Sequence, residues 1–286
     1  MIKLPSDKMV LTVCVTGGQV NKALTPASPE SPEEIAQAAY DCYNEGAAIV
    51  HIHAKDPSGS PTGNPEVFAE IHRLIREKCD IIIQDSTGGG ANLTLEQRLA
   101  CLDAHPEMAS LNMGTLVRTS GPAKGTLFSN TPWDIESWAS RMKEMGIKPE
   151  MEVYAHSMFR DVENVIAKGL VEKPYYVNLV LGMRFQGAVD ATPKHLNSML
   201  EFVPDDAIVN VSAVAAAQLP LTTIAMVMGS CVRVGLEDNI YYRRGELATS
   251  NAQLAARATR IARELGKEPA TPAEARQILG LKSLAG

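Results

Sequence analysis

The chain has 286 residues, of which 45% are hydrophobic and 21% charged, with a formal net charge of −6. That is the make-up of a globule with a sizeable core, and the acidic balance with no basic run excludes an extended nucleic-acid surface while leaving room for a local anion pocket. Five scattered cysteines without a C-x-x-C pair, no apolar run of spanning length and no secretory leader pattern argue against a disulfide framework and a membrane anchor, and the expectation is a cytoplasmic protein.

In chain order, short β-branched runs alternate with helical patterns. VLTVCVT (Val10 to Thr16) reads as a strand, and SPEEIAQAAYDCYNEG as a helix with Ser31 as N-cap, Pro32 in the first turn and Gly46 as the stop. AIVHIHA (Ala48 to Ala54) and IIIQ (Ile81 to Gln84) are the next strands, and TLEQRLACLDA opens with a Thr94/Gln97 capping box. MASLNM, PEMEVY, YYVNLVL, AIVNVSA and CVRVG complete eight strands, with helices in TPWDIESWASRMKEMG, ending at Gly146, and in TPKHLNSMLEFV, after Thr192. A further helix, TPAEARQILG, follows Thr271. Eight continuous strand–helix units without a Pro-, Gly- or Ser-rich linker predict a (β/α)8 barrel with an extra C-terminal helix, one domain over residues 1–286. An open dinucleotide-binding sheet is disfavoured, because no strand runs into G-x-G-x-x-G, and STGGG lacks the Gly-Lys-Ser/Thr ending of a phosphate loop.

A barrel carries its chemistry at the C-terminal ends of its strands. That rule selects His51 and His53 on the second strand, Gln84, Asp85 and Ser86 on the third, Ser110 and Asn112 on the fourth, and Arg233, Glu237 and Asp238 on the last. Alternate strand residues share a face, so the two imidazoles of His51 and His53 point the same way. With Glu237 they would make the three-ligand set of a catalytic zinc with one open position. Bland readings stand beside this one: two packed histidines, Glu237 as a solvated helix cap, and Arg233 as a structural partner of Asp238. His156, just after the fifth strand, is a further pocket candidate, whereas His72, His105 and His195 read as surface or half-buried positions. Two other functions remain open: a metal-dependent barrel hydrolase, which needs more histidines on later strands, and a catalytically inactive metal-binding barrel.

The segments TGGQ, GAAIVHIHAKDPSGSPTGNPEVF, QDSTGG, RLACLDAHPEMASLNMGTL, VRVGLEDNIYYRRGELATSNAQLAARATRIARELG and ATPAEARQIL together resemble the β-keto acid cleavage enzymes, the family of the 3-keto-5-aminohexanoate cleavage enzyme. The resemblance covers essentially the whole chain. It implies a zinc-dependent barrel, commonly a homotetramer, that converts a β-keto acid and acetyl-CoA into acetoacetate and a new acyl-CoA. It also implies zinc on His51, His53 and Glu237, catalysis by Asp238 with Arg233 in support, and substrate contacts from Ser86 and Ser110. Carbon–carbon cleavage next to a ketone suits this set. A metal with an open position accepts charge from the carbonyl oxygen, an arginine beside Asp238 favours an ionised, oriented base, and serine hydroxyls can hold a carboxylate or an oxyanion.

The chain departs from the amino-substrate members, which carry glutamates where it has Gln19 and Ala155. It instead places Arg184 in LGMRFQG after the sixth strand, a fixed cation suited to a second carboxylate. The expectation is that 3-keto-5-aminohexanoate is a poor substrate, and that neutral β-keto acids or ones with a distal acid, such as 3-ketoadipate, are better.

Overall fold

The structure is a computed structural model and describes residues 7–121 and 123–281. Eight parallel strands, β1 (Leu11–Cys14), β2 (Ile49–Ile52), β3 (Ile82–Asp85), β4 (Met108–Asn112), β5 (Lys148–Val153), β6 (Tyr175–Leu181), β7 (Ala207–Ala213) and β8 (Cys231–Val234), close into a barrel in sequential order. The (β/α)8 expectation holds. Helices α1 (Pro32–Asn44), α2 (Pro65–Arg76), α3 (Leu95–Leu99), α4 (Pro132–Met145), α5 (Phe159–Ala167), α6 (Pro193–Leu200), α7 (Gln218–Val227) and α8 (Asn251–Glu264) follow the strands in turn, and α9 (Pro272–Leu279) is the extra one.

The helix starts lie where the side chains can serve the orphan N–H groups of a first turn. Ser31, Thr94 and Thr271 each form the reciprocal capping box with the Glu or Gln three residues on, and Gly146 ends α4 in the left-handed conformation. Helix α3 is shorter than its pattern, because the chain tightens into a 3-10 turn over Ala100–Ala104, and α6 ends at Leu200, three residues before its pattern does. Among the described residues, no helix is long and apolar enough to cross a membrane, and all five cysteines are unbridged.

Strand alternation sorts the residues into two environments. Outward side chains such as Val50, Ile52, Ile83, Leu111, Val153 and Val211 pack under the helices and are fully or almost fully buried, each contributing about 1.5–3 kcal/mol by burial. At the N-terminal mouth, inward Val10, Ile49, Ile82, Met108 and Ile208 meet Ala275 and Leu279, so α9 plugs the barrel floor. Higher up the interior turns polar: Asn210 Nδ2 donates to Glu150 Oε1 at 3.0 Å, and Ser212 Oγ donates to Asn178 Oδ1 at 2.9 Å. Over the rim lies a small antiparallel sheet in which Leu116–Arg118 pairs with both Leu127–Phe128 and Phe185–Gln186.

Candidate active site

His51, His53 and Glu237 converge at the C-terminal mouth, with one ligand atom from each within 4.8 Å of the others. Strand alternation directs both imidazoles inward, and the loop after β8 brings the carboxylate to them. Gly235, at φ +145, faces β1 so closely that a Cβ would lie 2.3 Å from the Cys14 carbonyl oxygen. A Cβ on Gly17 would lie 2.7 Å from Glu237 Cγ. These glycines are therefore what lets the loop fold back over β1. Asn251, the first residue of α8, clamps it there by accepting from Leu236 N at 2.9 Å and donating to the Val15 carbonyl at 3.0 Å.

The two histidines are held differently. His51 Nδ1 lies 2.8 Å from Gln84 Oε1. An amide oxygen accepts only, so Nδ1 carries the proton and the Nε2 lone pair faces Glu237. Burial, then Arg233, pushes the His51 pKa down to about 3, so the ring is neutral as a metal ligand must be. His53 is fixed through its backbone, whose N–H and carbonyl both bond Thr16 Oγ1 at 2.8 Å.

Arg233, almost wholly buried, is the hub of the carboxylates. Its Nε and Nη2 donate to Asp238 at 2.9 and 3.1 Å, its Nη2 also reaches Glu237 Oε1 at 2.8 Å, and its Nη1 donates to Glu152 Oε1 at 3.2 Å. Burial opposes the charge on Glu237, but the Arg233 guanidinium beside it outweighs that cost and holds the carboxyl well below the usual range. For Asp238 the balance tips the other way: burial, joined by the neighbouring Glu237, raises its proton affinity despite Arg233 and a 3.1 Å contact from Cys14 Sγ. Arg233 thus orients Asp238 as expected, while the net shift is upward.

The residue set fits a divalent metal. His51 Nε2 and His53 Nε2 stand 3.6 and 3.4 Å from the Glu237 oxygens, close to the roughly 3.4 Å between two ligands on a tetrahedral zinc. Glu237 Oε2 is buried without a hydrogen-bond partner among the described residues, an expensive state unless a cation meets it. Three carboxylates around one guanidinium also leave a negative cluster that a dication balances.

Other sequence-selected residues fall at varying distances from this centre. Ser86 sits beside it: its Oγ accepts from Gly88 N at 3.1 Å, and a Cβ on Gly88 would lie 3.7 Å from His53 Cε1. Ser110 lies fully buried below, its Oγ accepting from Thr87 N at 3.1 Å. Asn112 faces inward, with its Oδ1 taking the Tyr154 hydroxyl at 2.8 Å and its Nδ2 without a partner among the described residues. Gln19 and Arg184 are exposed. His156 turns away, bonding Ser198 Oγ at 2.9 Å and packing edge-on to Phe202. Asp85 points out of the barrel to His72 Nε2 at 2.9 Å, because its neighbours Gln84 and Ser86 take the inward face. Strand reading passed over Glu150, Glu152, Asn178 and Asn210, although each recurs at the inward parity of an otherwise apolar run.

A family model described as beta-keto acid cleavage enzyme matches residues 8–281. The chain belongs to that family. It is 40% identical over 277 residues to the 3-keto-5-aminohexanoate cleavage enzyme of Fusobacterium nucleatum, covering 96% of this chain and 99% of the relative. It is 33% identical to the 3,5-dioxohexanoate:acetyl-CoA acetone transferase of Paraburkholderia graminis, covering 97% of each. Among solved structures, apo ObcA superposes with a TM-score of 0.72 at 19% identity, over 90% of this chain and 66% of that one, a likeness of fold alone. The chain is thus an enzyme of carbon–carbon bond cleavage, and the hydrolase reading falls away with His156 outside the pocket.

Proposed function

We propose that this protein is a zinc-dependent β-keto acid cleavage enzyme that converts a β-keto acid and acetyl-CoA into acetoacetate and the acyl-CoA of the remaining fragment. The observation that carries the reading is the His51–His53–Glu237 cluster, with the orphaned Glu237 Oε2 standing 3.6 Å from the His51 Nε2 lone pair. The acetyl-CoA named for the Paraburkholderia relative supports the choice of co-substrate. In the net change the bond between the ketone carbon and the carboxymethyl group breaks. The carboxymethyl carbon joins the acetyl group, and the CoA thiolate released from the acetyl group takes the acyl fragment.

His51, His53 and Glu237 would hold the metal, with Gln84 fixing the His51 tautomer. Zinc in that position supplies a Lewis acid for the ketone oxygen. Asp238 is the base for a proton on the carbon between ketone and carboxylate, and Arg233 holds its two oxygens in a fixed fork. Ser86, just past β3, and Ser110 and Asn112 on β4 would form the wall toward the substrate carboxylate. Gln19, exposed, would meet a substrate only at its far end, and Arg184, also exposed, is left to solvent. Neutral Gln19 and Ala155 leave an ammonium group uncompensated, so 3-keto-5-aminohexanoate should turn over poorly. The same reading takes residues 1–286 as one catalytic domain, assembled as a cytoplasmic homotetramer. Steady-state kinetics on a panel of β-keto acids with acetyl-CoA test it. A higher kcat/KM for the amino substrate than for every neutral or anionic analogue removes the substrate proposal, and no acyl-CoA from any of them removes the function.

A further inference from the structure

The small sheet over the barrel mouth has two unlike faces. Val117, Leu127 and Gln186 face outward, and Leu127 is 59% exposed. Leu116, Arg118, Phe128 and Phe185 share the other, covered face, since the register pairs Leu116 with Phe128 and Arg118 with Phe185. Arg118 is thus the one charged residue of this sheet, and it is on the face turned toward the barrel, only 8% exposed.

Its guanidinium is unusually short of partners for so covered a cation. Nη1 donates to the Leu127 carbonyl at 2.6 Å and makes a long contact to Thr126 Oγ1 at 3.4 Å, while Nε and Nη2 donate to nothing among the described residues. No carboxylate lies within ion-pair distance of it among those residues, and burial alone lowers its proton affinity. A second arginine adds to the local charge. Arg98 and Arg118 sit 4.9 and 5.2 Å from the centre of the Phe128 ring, and burial followed by Arg118 pushes the Arg98 pKa down to about 10. Each nitrogen of Arg98 has an acceptor, in Thr87 O, Ser129 O and Asn130 Oδ1, whereas among the described residues only Nη1 of Arg118 does. The Phe128 ring that both arginines flank reaches toward the candidate metal site. A Cβ on Gly88 would lie 3.9 Å from the tip of Phe128, 3.2 Å from Ser86 Oγ and 3.7 Å from His53 Cε1.

A buried guanidinium with free donors, aromatic walls and no acid nearby is built to receive an oxyanion. We propose that Arg118, rather than the exposed Arg184, is the specificity-determining residue that binds an oxyanion carried by a substrate, either a distal carboxylate of the β-keto acid or a phosphate of CoA. This rests on the function proposed above and extends it to the choice of substrate.

The test compares the wild type with Arg118→Gln, Arg118→Lys and Arg184→Ala. The keto acids are 3-oxoadipate and neutral-tailed 3-oxohexanoate, and the acetyl donors are acetyl-CoA and the phosphate-free acetyl thioester of N-acetylcysteamine. If the anion is the carboxylate, Arg118→Gln loses about ten- to a hundredfold in kcat/KM on 3-oxoadipate, the range for one charge-assisted hydrogen bond, and keeps its rate on 3-oxohexanoate. If it is the phosphate, KM for acetyl-CoA rises by that factor and the truncated thioester is unaffected. Arg118→Lys recovers part of either loss, and Arg184→Ala shows neither. Equal losses on every combination, or none, overturn the inference, as does a selective loss in Arg184→Ala alone. Should Arg118→Gln fail to fold, Arg118→Lys carries the test, with a several-fold loss confined to the anionic ligand expected and no loss overturning it. If the wild type makes acyl-CoA from no keto acid, the proposed function fails by itself, and binding decides Arg118: glutarate or CoA should raise the unfolding temperature of the wild type and not of Arg118→Gln, and equal shifts overturn the inference.

Discussion

Replacing Gln84 with leucine separates metal binding from folding. In the wild type, Gln84 Oε1 holds His51 Nδ1 at 2.8 Å while its own Nε2 is buried without a partner among the described residues. Gln84→Leu strands the imidazole N–H, a cost of about 1–3 kcal/mol, but it also removes an orphaned amide of comparable cost. The two effects nearly cancel, so the urea midpoint of the metal-free protein should move little. Zinc affinity should not escape, because the ring loses the acceptor that fixes its tautomer and orientation. The expected loss is about 10–100-fold, equivalent to roughly 1.4–2.8 kcal/mol. Gln84→Glu keeps an acceptor in the same place and should retain most of the affinity. Competition against a chromophoric chelator measures both variants. Zinc affinity in Gln84→Leu within twofold of the wild type would refute the tautomer argument.

His51→Ala should lower metal content together with activity, and elemental analysis showing an unchanged load would remove His51 from the metal site. Asp238→Asn should fold and keep its metal but lose roughly a hundredfold or more in rate, the scale of a positioned base; full activity in the metal-replete variant ends that assignment. Glu150, pushed up to about 8 by burial and then by Glu152, stays protonated in the folded state where the unfolded chain has already ionised. Its contribution to stability is complete below about pH 4.5 and is lost as pH rises through about 8. Glu150→Gln should therefore flatten that decline and raise the urea midpoint at pH 8, and a lower midpoint there contradicts the protonated state.

The barrel was legible because its signals are local. Capping residues such as Ser31 and Thr271 satisfy donors within one helical turn, and β-branched runs mark the strands. His51 and His53 were legible as a pair for the same reason, since a two-residue period fixes their common face. Glu237 could join them only through barrel closure, which sets β8 beside β1, and the family resemblance supplied what spacing left open. The polar interior was harder to see: Glu150, Glu152 and Asn178 stand singly inside apolar strands, and only the contacts to Asn210, Arg233 and Ser212 reveal a network. Asp85 misled because rim position was read without parity. Arg118 gave no sequence signal at all, being one arginine in a loop rich in Gly, Ser and Thr whose two faces exist only once its three strands pair.

The most direct test of zinc-dependent β-keto acid cleavage is to follow both acetyl carbons of acetyl-CoA, labelled with carbon-13, through a reaction with 3-oxohexanoate. The account predicts acetoacetate carrying both labels and unlabelled butyryl-CoA, with product formation lost on chelation and restored by zinc. Release of a free acid without acetyl-CoA, acetoacetate without label, or full activity in metal-free protein would contradict it.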